Sequence, residues 1–141
     1  MKKAIILSMF LLLSGAALAI AGSASAQGND AVKTFWQKFK TAVIGGDKAT
    51  VATMSKFPIE MSYGMAAIKN RAQLLRRWRE VFNEQTNAAQ CFAKKEPEME
   101  TGNPKRFSVT CPNEAGDEVV MYWFERTATG WKFASLDNIN E

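Results

Sequence analysis

The sequence predicts an α+β domain, with N-terminal helices packed into a curved antiparallel sheet, and three observations carry that prediction. Apolar residues recur at helical period over 30–44. A second such stripe follows over 70–84. From Cys91 onward the chain becomes short runs rich in Val, Phe, Trp and Tyr, separated by glycine-containing turns. Helices segregated from antiparallel strands define the α+β class. Each helix has a single apolar face to bury, so the sheet is expected to curl around them.

Residues 1–26 read as a secretory leader. Lys2 and Lys3 open it, Ala4 to Gly22 is almost unbroken apolar sequence, and Ala24-Ser25-Ala26 has the small-residue form of a cleavage site. The competing reading, an uncleaved anchor, meets the interruption at Ser14-Gly15, the polar stretch 22–25 and the lack of stop-transfer charges. No cysteine adjoins the cleavage site, so no lipid anchor is expected. The expected product is one free domain over 27–141, periplasmic or secreted, with no stable membrane insertion. The chain has 18 basic and 14 acidic residues, and losing Lys2 and Lys3 leaves 16 against 14, a net charge of only +2. That excludes the strong positive balance of a nucleic-acid binder.

Asp30 is a candidate cap for a first helix to about Ile44, whose apolar stripe is Val32, Phe35, Trp36, Phe39 and Val43. Gly45-Gly46 closes it, because glycine tolerates the left-handed conformation at a helix end. Asp47 caps a short second helix containing Val51 and Met54, and Pro58 forces Phe57 into extended conformation. Ile59, Met61 and Tyr63 alternate with polar residues as in a strand; Gly64 breaks the run and 65–68 resumes it. Asn70 to Gln73 resembles a capping box and opens a third helix to about Glu84, with Leu74, Leu75, Trp78, Val81 and Phe82 on one face. Residues 85–90 read as a polar loop. Strands are expected over 91–100 and 106–111 around the turn 101–104, and over 118–127 and 131–138 around Ala128-Thr129-Gly130.

Two cysteines, Cys91 and Cys111, with no histidine anywhere in the chain, argue against a zinc site and, in an exported protein, for one disulfide. No cofactor or metal is expected. Asp137 shares strand parity with Trp131, Phe133 and Ser135, which predicts an acid among aromatics, a general-base candidate with raised pKa. Its bland alternative is a solvated acid near the C-terminus. Glu125 is a second pocket candidate whose facing depends on hairpin register: a two-residue loop and a three-residue loop give opposite answers. Arg71, Arg76, Arg77 and Arg79 could grip phosphates or an acidic partner, or form the wet face of an amphipathic helix. Trp36, Trp78, Trp123 and Trp131 read as core that could also line a ligand cavity.

The first helix with Phe35, Trp36 and Phe39, the Gly45-Gly46-Asp47 break, the Phe57-Pro58-Ile59 entry into strand, and the closing pair Tyr122-Trp123-Phe124 and Gly130-Trp131-Lys132-Phe133 together resemble the nuclear transport factor 2-like superfamily. This cystatin-like, cone-shaped fold also houses ketosteroid isomerase and polyketide cyclases. The resemblance spans 30–141 and implies a pocket inside the cone and a homodimer through the outer sheet face. It implies no reaction. Dehydratase-like members need histidines, and isomerase-like members combine an aspartate with a tyrosine and a protonated acid. The tyrosines here, Tyr63 and Tyr122, are pocket candidates, but neither aligns onto that constellation. The leading expectation is a non-catalytic module of the cell envelope that binds a small apolar ligand or an envelope protein. The alternatives are an isomerase- or lyase-type enzyme and an inhibitor or immunity-type protein acting through the arginine helix.

Overall fold

The computed structural model describes residues 23–62 and 64–139, with side chains from Gln27 onward. Most of the leader and Tyr63 lie outside the described residues. Helix α1 runs Ser23–Ile44, so it passes straight through Asp30, which caps nothing; the helix begins seven residues before the expected start. Its stripe of Val32, Trp36, Phe39 and Val43 is buried, while Lys33, Gln37, Lys38 and Thr41 face outward. Gly46 ends the segment at φ 68°, a conformation that favours glycine.

Helix α2, Lys48–Thr53, starts as the sequence predicts: the Asp47 carboxylate accepts from the Thr50 amide at 3.0 Å. Strand β1, Ser55–Met61, follows directly. The expected continuation at 65–68 shrinks to one bridge, Ile59 with Ile68. Asn70 caps α3, Arg71–Arg76, by accepting from the Gln73 amide. The single long helix expected to Glu84 is instead broken at Arg77 and closes as a π-helix over Glu80–Glu84. Helix α4, Ala88–Phe92, was not foreseen; Asn87 caps it, and Ala88 and Phe92, four residues apart, bury one face. Cys91 therefore sits on a helix rather than a strand, and β2 is only Glu98–Met99.

Strands β3 (Arg106–Pro112), β4 (Val119–Thr127) and β5 (Gly130–Ile139) complete a five-stranded sheet of order β1-β5-β4-β3-β2. The sheet is mixed and not purely antiparallel, because β1 joins the edge of β5 in parallel. The long excursion through α3, the π-helix and α4 lies between them in sequence and makes that crossover possible.

The Cys91–Cys111 disulfide is formed and ties α4 to β3. It closes a loop of 20 residues across the two layers. Phe35 and Phe39 of α1 pack onto Phe107, Phe124 and Phe133 of the concave sheet face, with centroid separations from 5.0 to 6.1 Å. The helices thus fill the cone that the sheet outlines.

Candidate functional site

Within β4 the alternation is regular: Val120, Tyr122 and Phe124 point into the cone, and Met121, Trp123 and Glu125 lie on the outer face. The hairpin to β5 has a two-residue loop, Ala128-Thr129, because Thr127 pairs with Gly130 and Glu125 with Lys132. That register puts Glu125 outside. Between the pairs Phe124–Phe133 and Trp123–Ser135 one residue, Ala134, has no partner, which is a β-bulge. The bulge reverses the facing of everything after it. Asp137 pairs with Met121 on the outer face and does not share a face with Trp131 and Phe133, as uninterrupted parity would have it.

The interior is a continuous aromatic cluster. Trp36 meets Phe92 edge-on at 4.9 Å, Phe39 meets Phe124 at 5.0 Å, and Phe107 stacks on Phe124 at 4.6 Å. Trp131 closes against Phe107 at 5.0 Å, and Trp78 against Phe82 at 4.4 Å. Trp36, Trp78 and Trp131 are all buried core side chains. Tyr122 is fully buried, and its hydroxyl donates to the carbonyl of Val81 in the π-helix at 2.8 Å. Burial pushes the phenol far above its ordinary range. Its proton is already committed to a backbone carbonyl.

Apart from Tyr122, the buried polar side chains among the described residues are Ser55, Thr86, Ser108 and Asn138, none of them ionisable. Asn138 faces inward at the end of β5 and donates to Gln85 at 2.9 Å and to Glu118 at 3.1 Å. Among the described residues its Oδ1 has no partner. The grooves around the core are open to solvent. One of about 280 Å³ adjoins the disulfide and is lined by Thr86, Gln90, Cys91, Lys95 and Pro112. Another of about 550 Å³ lies between Gly28 in the second turn of α1, the turn Gly102 to Pro104, and Arg126 and Trp131.

The outer face carries the charged groups. Lys56 donates to Glu125 at 2.7 Å. Arg106 stacks on Trp123 with its guanidinium 4.0 Å from the ring centroid and reaches Glu100 at 3.3 Å. Asp137 accepts from the Ser62 hydroxyl at 2.5 Å. Each acid proposed for the cone therefore has a local partner on the convex side.

The arginines separate into two roles. Arg77 forms a two-pronged ion pair with Glu80 and donates to the carbonyl of Ala66 at 2.7 Å, so it clamps the 64–68 segment onto the helix break. The hydrogen bond from the Arg77 guanidinium to Glu80 is the main cause holding the Glu80 carboxyl below its ordinary range. Arg71 and Arg76 are exposed, and Arg79 is exposed beside Glu84 at 3.7 Å. Sequence reasoning missed the clamp. The spacing of Arg77 and Glu80, three residues apart, was its signal.

No protein-family profile matches the chain, and no curated protein does. Solved structures with similar folds exist. A nuclear transport factor 2-like protein with a cystatin-like fold from Novosphingobium aromaticivorans is 14% identical, with TM-score 0.47 over 81% of this chain and 82% of the other. The type-3 hexachlorocyclohexane dehydrochlorinase of Novosphingobium barchaimii is 14% identical, with TM-score 0.49 over 82% and 87%. A cystatin-like domain of unknown function from Nostoc punctiforme is 12% identical, with TM-score 0.49 over 82% and 78%. At such identity the likeness concerns architecture alone. The fold itself is α+β, with helices packed against a mixed sheet of five strands.

Proposed function

We propose that residues 27–141 are the mature form of an exported protein, periplasmic or secreted, that acts as a non-catalytic binding or accessory module of the cell envelope. The observation that carries this reading is the interior of the cone. Its volume is taken by Trp36, Phe39, Phe82, Phe92, Phe107, Tyr122, Phe124 and Phe133, each less than 2% exposed. A general acid or base must reach its substrate within hydrogen-bond distance. Glu125 and Asp137 are instead on the convex face, engaged with Lys56 and Ser62. Partner contacts accordingly fall on the outside of the molecule, with a homodimer through the outer sheet face around Trp123 as one of them. Compartment is supported by the Cys91–Cys111 disulfide, since such bonds persist in oxidising environments. Among the described residues no helix is long and apolar enough to cross a membrane.

The test is complementation of a strain lacking the gene. Glu125→Gln and Asp137→Asn, singly and together, are expected to restore the phenotype fully. Loss of a general base costs about 10²–10⁴-fold in rate, so failed complementation at normal export and thermal stability would replace this reading with the enzyme alternative.

A further inference from the structure

The charge of the domain is small only in sum. Residues 27–96 contain twelve basic and six acidic side chains, whereas residues 97–141 contain four basic and eight acidic. The five strands themselves hold four basic and four acidic side chains, so the surplus of base lies in the helical layer and acids such as Glu100, Glu114, Asp117 and Glu118 lie in the turns that join strands. The first segment makes α1, α2, α3, the π-helix, α4 and the edge strand β1, and the second makes the remaining four strands.

Within the helical layer most acids are consumed internally. Asp47 caps α2, Glu80 is held by Arg77, Glu84 lies beside Arg79, and Glu96 takes Lys40 at 3.3 Å. Asp30 is the exposed exception on α1. The basic side chains are in excess of these partners. Lys33, Lys38, Arg71, Arg76, Lys94 and Lys95 are exposed, and none enters an ion pair among the described residues. The hydrogen bond from the Trp36 indole to the Lys95 carbonyl fastens the segment after α4 against α1. Ile44, 48% exposed at the end of α1, is a large apolar side chain left outside the core on this layer.

We infer that the helical layer is a docking surface for an anionic phospholipid membrane, with the sheet turned away from it. The inference rests on the envelope location proposed above. Several features choose this occupant. Lys94 and Lys95 line the groove beside the disulfide and Lys38 lines another, so the cations are dispersed and do not gather in one concave site, which suits a diffuse negative surface better than a single phosphate. A protein interface is dominated by buried aromatic or arginine anchors in an apolar centre, and the aromatic side chains of these helices are already spent on the cone. Juxtamembrane lysines and arginines are attracted individually and additively to anionic headgroups, and the attraction is screened within a Debye length. The strands carry no net charge, so the positive surplus of the helical layer sets the orientation.

The experiment is co-sedimentation of the 27–141 protein, disulfide intact, with vesicles of equal parts phosphatidylglycerol and phosphatidylcholine, and with pure phosphatidylcholine vesicles, over a salt series. Binding is expected to the first and not the second, and to weaken steadily with added salt. The combined substitution Arg71→Glu, Arg76→Glu, Lys94→Glu and Lys95→Glu is expected to weaken binding at least about tenfold, because each basic group contributes separately. Lys105→Glu, an exposed cation at the sheet end, should stay within about twofold on the same reasoning. Thermal unfolding of each variant verifies that it is folded, and glutamine replacements at the same four positions serve if the glutamates disturb it. Absence of sedimentation with the anionic vesicles in low salt overturns the inference. So does equal binding to both vesicle types, or unchanged binding by both fourfold variants. Because the measurement uses purified components, failure here leaves the complementation result for Glu125 and Asp137 to judge the non-catalytic reading on its own.

Discussion

The two faces of the β4–β5 pair are built from alternate residues of the same strands, yet they are chemically opposite. On the concave side Tyr122, Phe124, Phe133 and Leu136 are almost entirely out of solvent. On the convex side Trp123, Glu125, Lys132 and Asp137 remain partly exposed and are bound into ion pairs, hydrogen bonds and one cation–π contact. The pleat produces this division, since successive side chains point to opposite faces, and the bulge at Ala134 shifts the alternation along β5. What the comparison teaches is how little separates a pocket acid from a surface acid. One unpaired residue, Ala134, moves Asp137 from one side to the other.

The sharpest way to break the contrast is to truncate one aromatic on each face. Phe124→Ala should cost about 3–5 kcal/mol, because it leaves a cavity among Phe35, Phe39, Phe107 and Phe133. Trp123→Ala should cost only about 1 kcal/mol, the contact with Arg106 being partly hydrated. Chemical denaturation of both variants measures the difference; equal losses would mean that the convex face is as buried as the core.

Next in size is the bond that joins the layers. Replacing Cys91 and Cys111 with serine should lower stability by about 3 kcal/mol in the chain-entropy model for a 20-residue loop. Thiol labelling of denatured, unreduced protein from an oxidising compartment should find no free cysteine.

Tyr122→Phe removes one buried hydrogen bond to Val81 and should cost about 1 kcal/mol. The pH dependence follows from the raised phenol pKa. The tyrosine stays neutral in the folded protein but ionises in the unfolded chain above its ordinary value of 10.0. Its contribution is therefore complete below pH 10 and is lost as pH rises beyond it. Alkaline unfolding should begin later in Tyr122→Phe, provided the two proteins are compared as differences from their own stability at neutral pH.

The smallest effect belongs to the Arg77–Glu80 clamp, which is partly exposed and so screened. Glu80→Gln should cost about 1 kcal/mol or less at neutral pH. Because the folded Glu80 pKa lies below its ordinary 4.5, the wild-type advantage should be present above that value and vanish as pH falls through the folded pKa. A constant difference between the two proteins from neutral pH down to pH 2 would show that the carboxylate charge contributes nothing.

How far the sequence was legible depends on whether the signal was local. The α1 stripe, the Asp47 and Asn70 caps and the closing β4–β5 hairpin are written in residues a few positions apart, and they appear as expected. The disulfide, between residues 20 apart, followed from cysteine count and compartment, while the first expected hairpin keeps only Glu98–Met99 of its leading strand. The α4 helix was hidden because five residues, Ala88–Phe92, cannot display a helical period clearly, and their helicity comes from packing Ala88 and Phe92 on the core. The parallel partnership of β1 with β5 is a contact between distant segments that no local pattern records. At the candidate site, the facing of Glu125 followed from a loop of two residues and that of Asp137 from a bulge. Neighbouring Phe133 and Ala134, both buried, are the break in alternation that marked it. Arg77 looked like its exposed neighbours because nothing in sequence announces the Ala66 carbonyl as its partner.

The account stands on a cone whose interior is occupied by its own aromatic side chains. Native mass spectrometry of the protein purified from the compartment to which it is exported tests that most directly. The expected result is the mass of residues 27–141 with two hydrogens lost to the disulfide, as monomer or dimer, and no retained small molecule. A stoichiometric small molecule that is released on denaturation, and whose retention is abolished by Phe39→Trp or Phe124→Trp in a still-folded protein, would show a ligand held within the cone and contradict the account.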